Sequence, residues 1–367
     1  MATANYSVDA PGAGAVAPAM HNTGTVPGRP PCPPVQSPSA MHERDLLARL
    51  IVGPASGEAL ACAGETRAAV WKRIGALRAA GVAIEARPGR GYVLAQPLEL
   101  LDAGTIRAGL PAAALADLAA LEVAWSTDST NTRLLERPTP AEGASVLLAE
   151  RQTGGRGRRG RAWASPLAAN IYLSLARGFG GGLARLPGLS LVAGVATAEA
   201  LHALGFAGVR LKWPNDLVVV EAGTLRKLGG LLVEGGGEHA GPVRAVIGLG
   251  LNVRMPEAHA AAIGQPWTDL ATLAGEPVSR NRVVAALLSH WLPALAQFDA
   301  LGLEGFLPRY AAFDALAGRE VSIEGAGGAR CGVALGLAGD GALRVRFAHG
   351  EQRVHSGEVS VRATEAA

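Results

Sequence analysis

Two apolar segments late in the chain, KLGGLLVE (227–234) and IGLGLNV (247–253), carry glycine inside runs that otherwise read as buried strands. In the second, Gly248 and Gly250 thin out the strand, which implies that a ligand or a neighbouring chain comes close to the backbone. Both segments lie in a region, about 117–317, where strand-like and helical runs alternate. Lys227 stands directly before the paired glycines. A lysine there can neutralise a carboxylate or phosphate, or can be a plain surface charge.

At roughly 100–200 residues per domain, 367 residues suggest two or three domains. Hydrophobic residues make up 49 % of the chain but aromatics only 4 %, so the core must be built mostly of Ala, Leu and Val. A net charge of +3 is too mild to indicate nucleic-acid binding by itself, and any basic surface has to be local. Cys32, Cys62 and Cys331 are odd in number and widely spaced, which fits neither a disulfide framework nor a metal site and points to free thiols. No run of about 18 apolar residues is found, and the N-terminus lacks a basic start with an apolar run. These features predict a cytoplasmic protein with no membrane segment and no resident metal.

Residues 1–40 carry eight prolines and two charges, Asp9 and Arg29, and are expected to be disordered. Met41 marks a change of character and is a candidate start of translation. From there to about residue 96 the pattern is helical, then extended. Helices are predicted over 42–51, after a Ser56 cap, and from a Thr66 cap to about residue 80, where Val70, Ile74 and Leu77 form one stripe. Arg67, Lys72, Arg73 and Arg78 lie largely off that stripe. A hairpin then turns at Pro88-Gly-Arg-Gly91. Three short helices and a hairpin suggest a winged helix-turn-helix, whose third helix enters the major groove. A small helical domain with a solvated basic face fits the same local pattern. Residues 98–116 read as a connector. Short glycine-separated strands at 320–323, 332–335, 343–347 and 359–361 suggest a small antiparallel barrel.

The segment GRGRRGRAW (155–163) alternates Gly155, Gly157 and Gly160 with Arg156, Arg158, Arg159 and Arg161. Glycines let the backbone approach a ligand, and arginines offer planar donor forks to phosphate and carboxylate. The segment suits a loop closing over an anionic ligand; an RNA-binding or merely solvated patch has the same composition. Its place between strand-like runs at 145–150 and 170–175 favours a loop on a scaffold. In LKWPNDLVVV (211–220), Pro214, Asn215 and Asp216 turn between two extended segments, either as plain turn formers or with Asp216 at the mouth of a buried sheet.

In order and spacing, DSTN (128–131), AERQTGGRGRRGRAW (149–163), KWPNDL (212–217), KLGGLLVE and IGLGLNV resemble the bacterial biotin–protein ligases. The likeness covers about 41–367, and the layout resembles the bifunctional class that also represses biotin-synthesis genes. It implies an α+β fold with a disordered tail (1–40), a winged helix-turn-helix (41–97), a central mixed sheet with helices (98–317) and an SH3-like barrel (318–367). The resemblance implies that Ser129, Thr130, Asn131 and Gln152 line a biotin pocket, with the backbone of Gly230 and Gly248 against biotin. Arg156, Gly157 and Arg158 would hold the biotin carboxylate and adenylate phosphate. Lys227 would meet the reacting carboxylate and α-phosphate. Arg159, Arg161, Trp163, Asn252, Trp267 and Arg362 would lie on the nucleotide side, Trp267 folding over adenine. Lys227, Arg158 and Asp216 are the expected catalytic groups, and Thr66, Arg67, Lys72, Arg73 and Arg90 the expected DNA contacts. ATP with Mg²⁺, biotin, the biotin carboxyl carrier of acetyl-CoA carboxylase, operator DNA and a second copy of the chain are the implied partners. The stretch ahead of the third helix is shorter than the family pattern. A lipoate-type ligase and a non-catalytic biotin-sensing repressor are the rival readings.

Overall fold

The computed structural model describes residues 38–61, 65–237, 242–261, 263–325, 328–356 and 360–363. The expected disordered tail, apart from its last few residues, and Cys32 and Cys62 lie outside the described residues; Cys331 is a free, exposed thiol.

The first part starts with α1 (Pro38–Val52), which begins ahead of Met41, and α2 (Arg67–Ala79). Thr66 caps α2, its hydroxyl accepting the Ala69 N–H at 3.3 Å. The Val70–Ile74–Leu77 stripe is buried as its helical spacing demands. Ser56 also caps, accepting the Ala59 N–H at 3.1 Å, but only a single turn over 57–60 follows rather than the predicted helix. The hairpin is β1 (Ile84–Arg87) and β2 (Gly91–Leu94). Gly91 has φ +78°, and a Cβ there would strike the Ala55 carbonyl, so glycine is required where the wing crosses the turn before α2.

The stretch read as a connector contains α3 (Ala103–Ala108) and α4 (Ala112–Ala116). Leu101, Ile106, Leu110 and Ala114 are buried in the main core, so these residues are part of the central domain rather than a linker. Glu150 and Arg280, both buried, form an ion pair at 2.7 Å, and Arg280 also donates to the Asn170 and Glu99 carbonyls. That cluster fastens the stretch to the sheet.

The central sheet comprises β3 (Leu118–Ala124), β4 (Ala144–Ala149), β5 (Ile171–Phe179), β6 (Val209–Lys212), β7 (Asp216–Glu221), β8 (Thr224–Gly237) and β9 (Val243–Leu251). Short α5 (Thr130–Leu135) follows β3, and α6 (Leu186–Ala203) follows β5. The strand order is β3-β4-β5-β9-β8-β7-β6, parallel only between β3 and β4. After β9 come α7 (Glu257–Ala260), α8 (Leu270–Ala274), α9 (Arg280–Leu301) and α10 (Leu307–Phe313). Helices α6 and α9 are each long and apolar enough to cross a bilayer by length and composition, which the sequence reading did not register, but more than half of each is buried inside the protein. Their polar groups pair internally: Trp291 Nε1 donates to Thr197 Oγ1 at 2.9 Å, and Thr197 donates to the Ala193 carbonyl.

Side-chain alternation sorts the strands. Leu173, Leu175, Leu231, Ile247, Leu249 and Leu251 enter the core beneath α6 and α9. The intervening positions face the opposite side, where Gly248 meets Asn131 and Gly250 meets Trp163.

The last part holds β10 (Glu320–Gly325), β11 (Gly328–Leu337), β12 (Leu343–Phe347), β13 (Gly350–Val354) and β14 (Ser360–Ala363), an antiparallel sheet in the order β13-β12-β11-β10-β14. No ladder joins β13 to β14 among the described residues. Strand β13 was not predicted, because GEQRV is a polar edge strand without apolar alternation.

Candidate active site

A cavity of about 700 Å³ opens on the glycine face of the central sheet. Its floor exists because Gly248 and Gly250 have no side chains. A Cβ on Gly248 would overlap Asn131 Oδ1, and one on Gly250 would overlap the Trp163 indole. The glycines noted in the sequence thus admit two other side chains of the chain itself, and these shape the pocket.

One end is a slot of neutral polar groups at the start of α5. Ser129 caps that helix. The Thr130 N–H donates to Gln152 Oε1 at 2.8 Å, and Gln152 Nε2 donates to Ser165 Oγ at 3.3 Å. Buried Ser174 Oγ lies 2.6 Å from Asn131 Oδ1 and 2.7 Å from Thr130 Oγ1. Asn131 Nδ2 donates to Glu234 Oε2 at 2.8 Å and to the Leu232 carbonyl at 3.2 Å. The Asn131 amide is therefore held from both ends, which fixes its orientation. Ser129, Thr130, Asn131 and Gln152 all line the cavity.

The arginine segment forms a tight hairpin over the other end. Arg156 bridges to Ala162, the Gly157 N–H donates to the Arg161 carbonyl at 2.7 Å, and the Trp163 N–H donates to the Gly155 carbonyl at 2.9 Å. The bend is sharp enough to place Arg159 at φ +58° beside Gly160 at φ +68°. Arg156 donates to Thr132 Oγ1 at 3.0 Å and pairs with Glu234 at 3.3 Å. Arg158 donates to Asn215 Oδ1 at 3.3 Å and to the Ser356 carbonyl, bridging the hairpin to the last domain. No carboxylate among the described residues forms an ion pair with Arg158. Burial, with Arg159 beside it, pulls its guanidinium below the usual value, while Asp216 opposes the shift. Arg156, Gly157, Arg158, Arg159, Arg161 and Trp163 all line the cavity.

Asp216 and Lys227 meet between the two ends, at 2.8 Å. Asp216 begins β7 directly after the Trp213–Asn215 turn, whose Trp213–Pro214 peptide is cis. Lys227 Nζ also lies 5.5 Å from the centre of the Trp163 ring, a cation over an aromatic face. The backbone of Lys227 pairs with the segment around Trp267, which carries that tryptophan to the cavity rim. Asn252 donates to the Thr268 carbonyl at 3.1 Å and tethers the same segment. Gly230, Gly248, Asn252 and Trp267 line the cavity too. Arg362 differs: its backbone pairs with Ser322, and its side chain lies outside the described residues.

Sequence reasoning missed Ser174, Glu234, Asn215 and Lys212, which support or line the site. Glu234 lies at an alternate position from Gly230 on the same strand, a signal the sequence carries, whereas Ser174 is on another strand.

In the first domain, Arg67, Lys72 and Arg90 are exposed. The other two expected DNA contacts, Arg73 and Thr66, also hold partners within the fold. Arg73 is held by Glu65, and the Thr66 hydroxyl caps α2. Arg73 reads as a surface group in the sequence because its partner, Glu65, lies outside the helix.

Comparison with known proteins agrees with this architecture. The model of the Biotin/lipoate A/B protein ligase family matches residues 123–252, that of the HTH domain residues 53–93, and that of the Biotin protein ligase C terminal domain residues 317–362. The bifunctional ligase/repressor BirA of Salmonella typhimurium is 38 % identical over 302 residues, 82 % of this chain and 91 % of that protein. Its Escherichia coli counterpart is 37 % identical over 313 residues, 85 % and 93 % of the two chains. The biotin protein ligase from Aquifex aeolicus, solved in complex with biotin and ATP, superposes with a TM-score of 0.57 at 28 % identity, covering 67 % of this chain and 100 % of that one. With three matched domains in order and close to full-length relatives, the chain belongs to the biotin–protein ligase family, in its bifunctional ligase/repressor class.

Proposed function

We propose that this ATP-dependent biotin ligase joins biotin to ATP as biotinyl-5′-AMP, transfers the biotinyl group to a lysine of a carrier protein, and represses transcription through its helix-turn-helix. The observation that carries the reading is the polarity of the cavity. A neutral amide-lined slot for a ureido ring ends at an arginine hairpin, and Arg158, its most enclosed cation, donates to the Asn215 amide and the Ser356 carbonyl and to no carboxylate among the described residues. A partly buried guanidinium whose hydrogen bonds go to neutral acceptors favours an arriving phosphate.

In the first step a biotin carboxylate oxygen attacks the α-phosphorus of ATP, the bond to the β-phosphate breaks and pyrophosphate leaves. Arg158 and Lys227 are assigned to the charge that develops on the α-phosphate. Lys227 then trades its Asp216 partner for phosphate oxygens, freeing that carboxylate. In the second step the acceptor lysine amine attacks the acyl carbonyl, the acyl–phosphate bond breaks and AMP leaves. Asp216 is assigned to orient and deprotonate the incoming ammonium, since a free lysine of pKa about 10.4 is rarely neutral near pH 7. The hairpin excludes water from the mixed anhydride between the steps.

Among the described residues no group of three or more His, Cys, Asp or Glu could hold a metal, and the Asp216 carboxylate is engaged by Lys227. Mg²⁺ is accordingly assigned to the substrate, entering as the magnesium–nucleotide complex. The acceptor is assigned as the biotin carboxyl carrier of acetyl-CoA carboxylase. Repression at a two-fold operator calls for a homodimer, here one that forms on biotinyl-AMP.

The test is labelling of that carrier with biotin and ATP, omitting each in turn and substituting lipoate for biotin, alongside biotin-dependent pyrophosphate exchange. Labelling that needs both substrates supports the reading. Labelling by lipoate alone, or no exchange, overturns it.

A further inference from the structure

Helix α2, which lies within the matched HTH domain, leaves a tryptophan in water. Trp71 is 68 % exposed, whereas Trp125, Trp213 and Trp291 are at most 4 % exposed and Trp163 and Trp267 line the ligand cavity. Apolar residues scattered singly over a surface are ordinary, but the surroundings of Trp71 are not random. Arg67, Trp71 and Arg78, spaced by four and seven residues, share one side of α2, with exposed Lys72 adjacent. The helix carries four basic residues and no carboxylate. One turn beyond Trp71 stands Gly75, where an added Cβ would meet open space. Exposed Ala68 and Ala79 keep the rest of the outer face low. Such a face lets a helix settle close against a groove floor, with its cations reaching the phosphates on either side.

Resting on the repressor reading, we propose that Trp71 is a sequence-specifying residue for duplex DNA, its indole packing against the 5-methyl group of a thymine in the major groove. The charge of α2 selects a polyanion, and the thymine methyl is the one apolar feature that the major groove presents. An indole also has only a single N–H to donate, so it reads shape and apolar surface better than base edges.

The test uses the full chain with biotin and ATP, challenged with a randomised duplex library, in wild-type and Trp71→Ala forms; Trp71→Phe keeps an aromatic ring. In the motif enriched by the wild type, each thymine is then replaced by deoxyuridine, which removes only the methyl. The expected result is a thymine in each half-site whose demethylation weakens wild-type binding roughly four- to tenfold. Trp71→Ala should bind that duplex more weakly and ignore the methyl, with an unchanged unfolding midpoint, while Trp71→Phe keeps part of the preference. If Trp71→Ala enriches the same motif with the same methyl dependence, the proposal is wrong. If the wild type enriches no motif, the repressor reading itself fails and takes the proposal with it. Loss of self-association in Trp71→Ala, with DNA preference intact, would make the face a contact between copies and overturn the assignment to DNA.

Discussion

At the scale of single residues, the site rests on a few groups that cannot be exchanged without displacing a neighbour. Lys227 and Asp216 form an ion pair at 2.8 Å. Asp216→Ala should therefore slow biotin transfer about 10²–10⁴-fold. It should leave pyrophosphate exchange within about tenfold of wild type. Measuring both half-reactions separates the roles, and an equal loss in each would reduce Asp216 to a support for Lys227. Gly248 has a different kind of importance. Because a Cβ there overlaps Asn131 Oδ1, Gly248→Ala must push the Asn131 amide out of its fixed orientation. Overpacking of this kind costs about 1–3 kcal/mol. Biotin affinity measured by calorimetry should fall at least about tenfold; unchanged affinity would mean that Asn131 does not bear on biotin.

Whole elements locate these residues. Strand alternation puts Ser174, Gly230, Gly248 and Gly250 on one face, and α6 with α9 covers the other. Past α10, Asp314 joins the strand end at Leu211 and accepts the Leu316 N–H at 2.8 Å, while its second carboxylate oxygen is buried with no hydrogen-bond partner among the described residues. Burial raises its carboxyl above the ordinary value of 3.8. The ionised form is thus disfavoured in the folded state. Asp314 contributes its full stability below pH 3.8 and loses it as pH rises through the raised folded value. Asp314→Asn removes that loss. Its unfolding midpoint should exceed that of the wild type by a few degrees near neutrality, with the gain vanishing in acid. A gain that persists in acid would rule out ionisation as the cause.

Across the whole molecule, the DNA-binding module shares its core with the catalytic domain. Trp125, Leu167 and Ala168 are buried in one cluster with Leu46, Leu47, Val70 and Ile74, and the Leu167 N–H donates to the Ala80 carbonyl at 2.8 Å. Leu167 follows the arginine hairpin closely, and Ser165 between them touches Gln152 in the pocket. A single cooperative unfolding transition is expected by calorimetry. Leu167→Ala, which deletes about 2–5 kcal/mol of buried contact, should split it, with the DNA-binding part melting first. Two transitions in the wild type would show that the modules are thermodynamically independent.

The sequence by itself determined the local elements and the chemistry of the site: the Thr66-capped helix, the wing turn, the arginine segment and the lysine before paired glycines. Each depends on periodicity, capping or residue type within a few positions, and such interactions form wherever the segment goes. Tertiary structure alone decided which side chains those features serve. Gly248 could have made room for a ligand or a chain, and proved to make room for Asn131. Ser174 is unremarkable in sequence because it matters only through partners far along the chain. Arg73 reads as a free cation until Glu65 comes within reach, and residues 98–116 read as a linker until Ile106 finds the core. A contact between distant residues depends on how separate elements pack, and no local pattern encodes that.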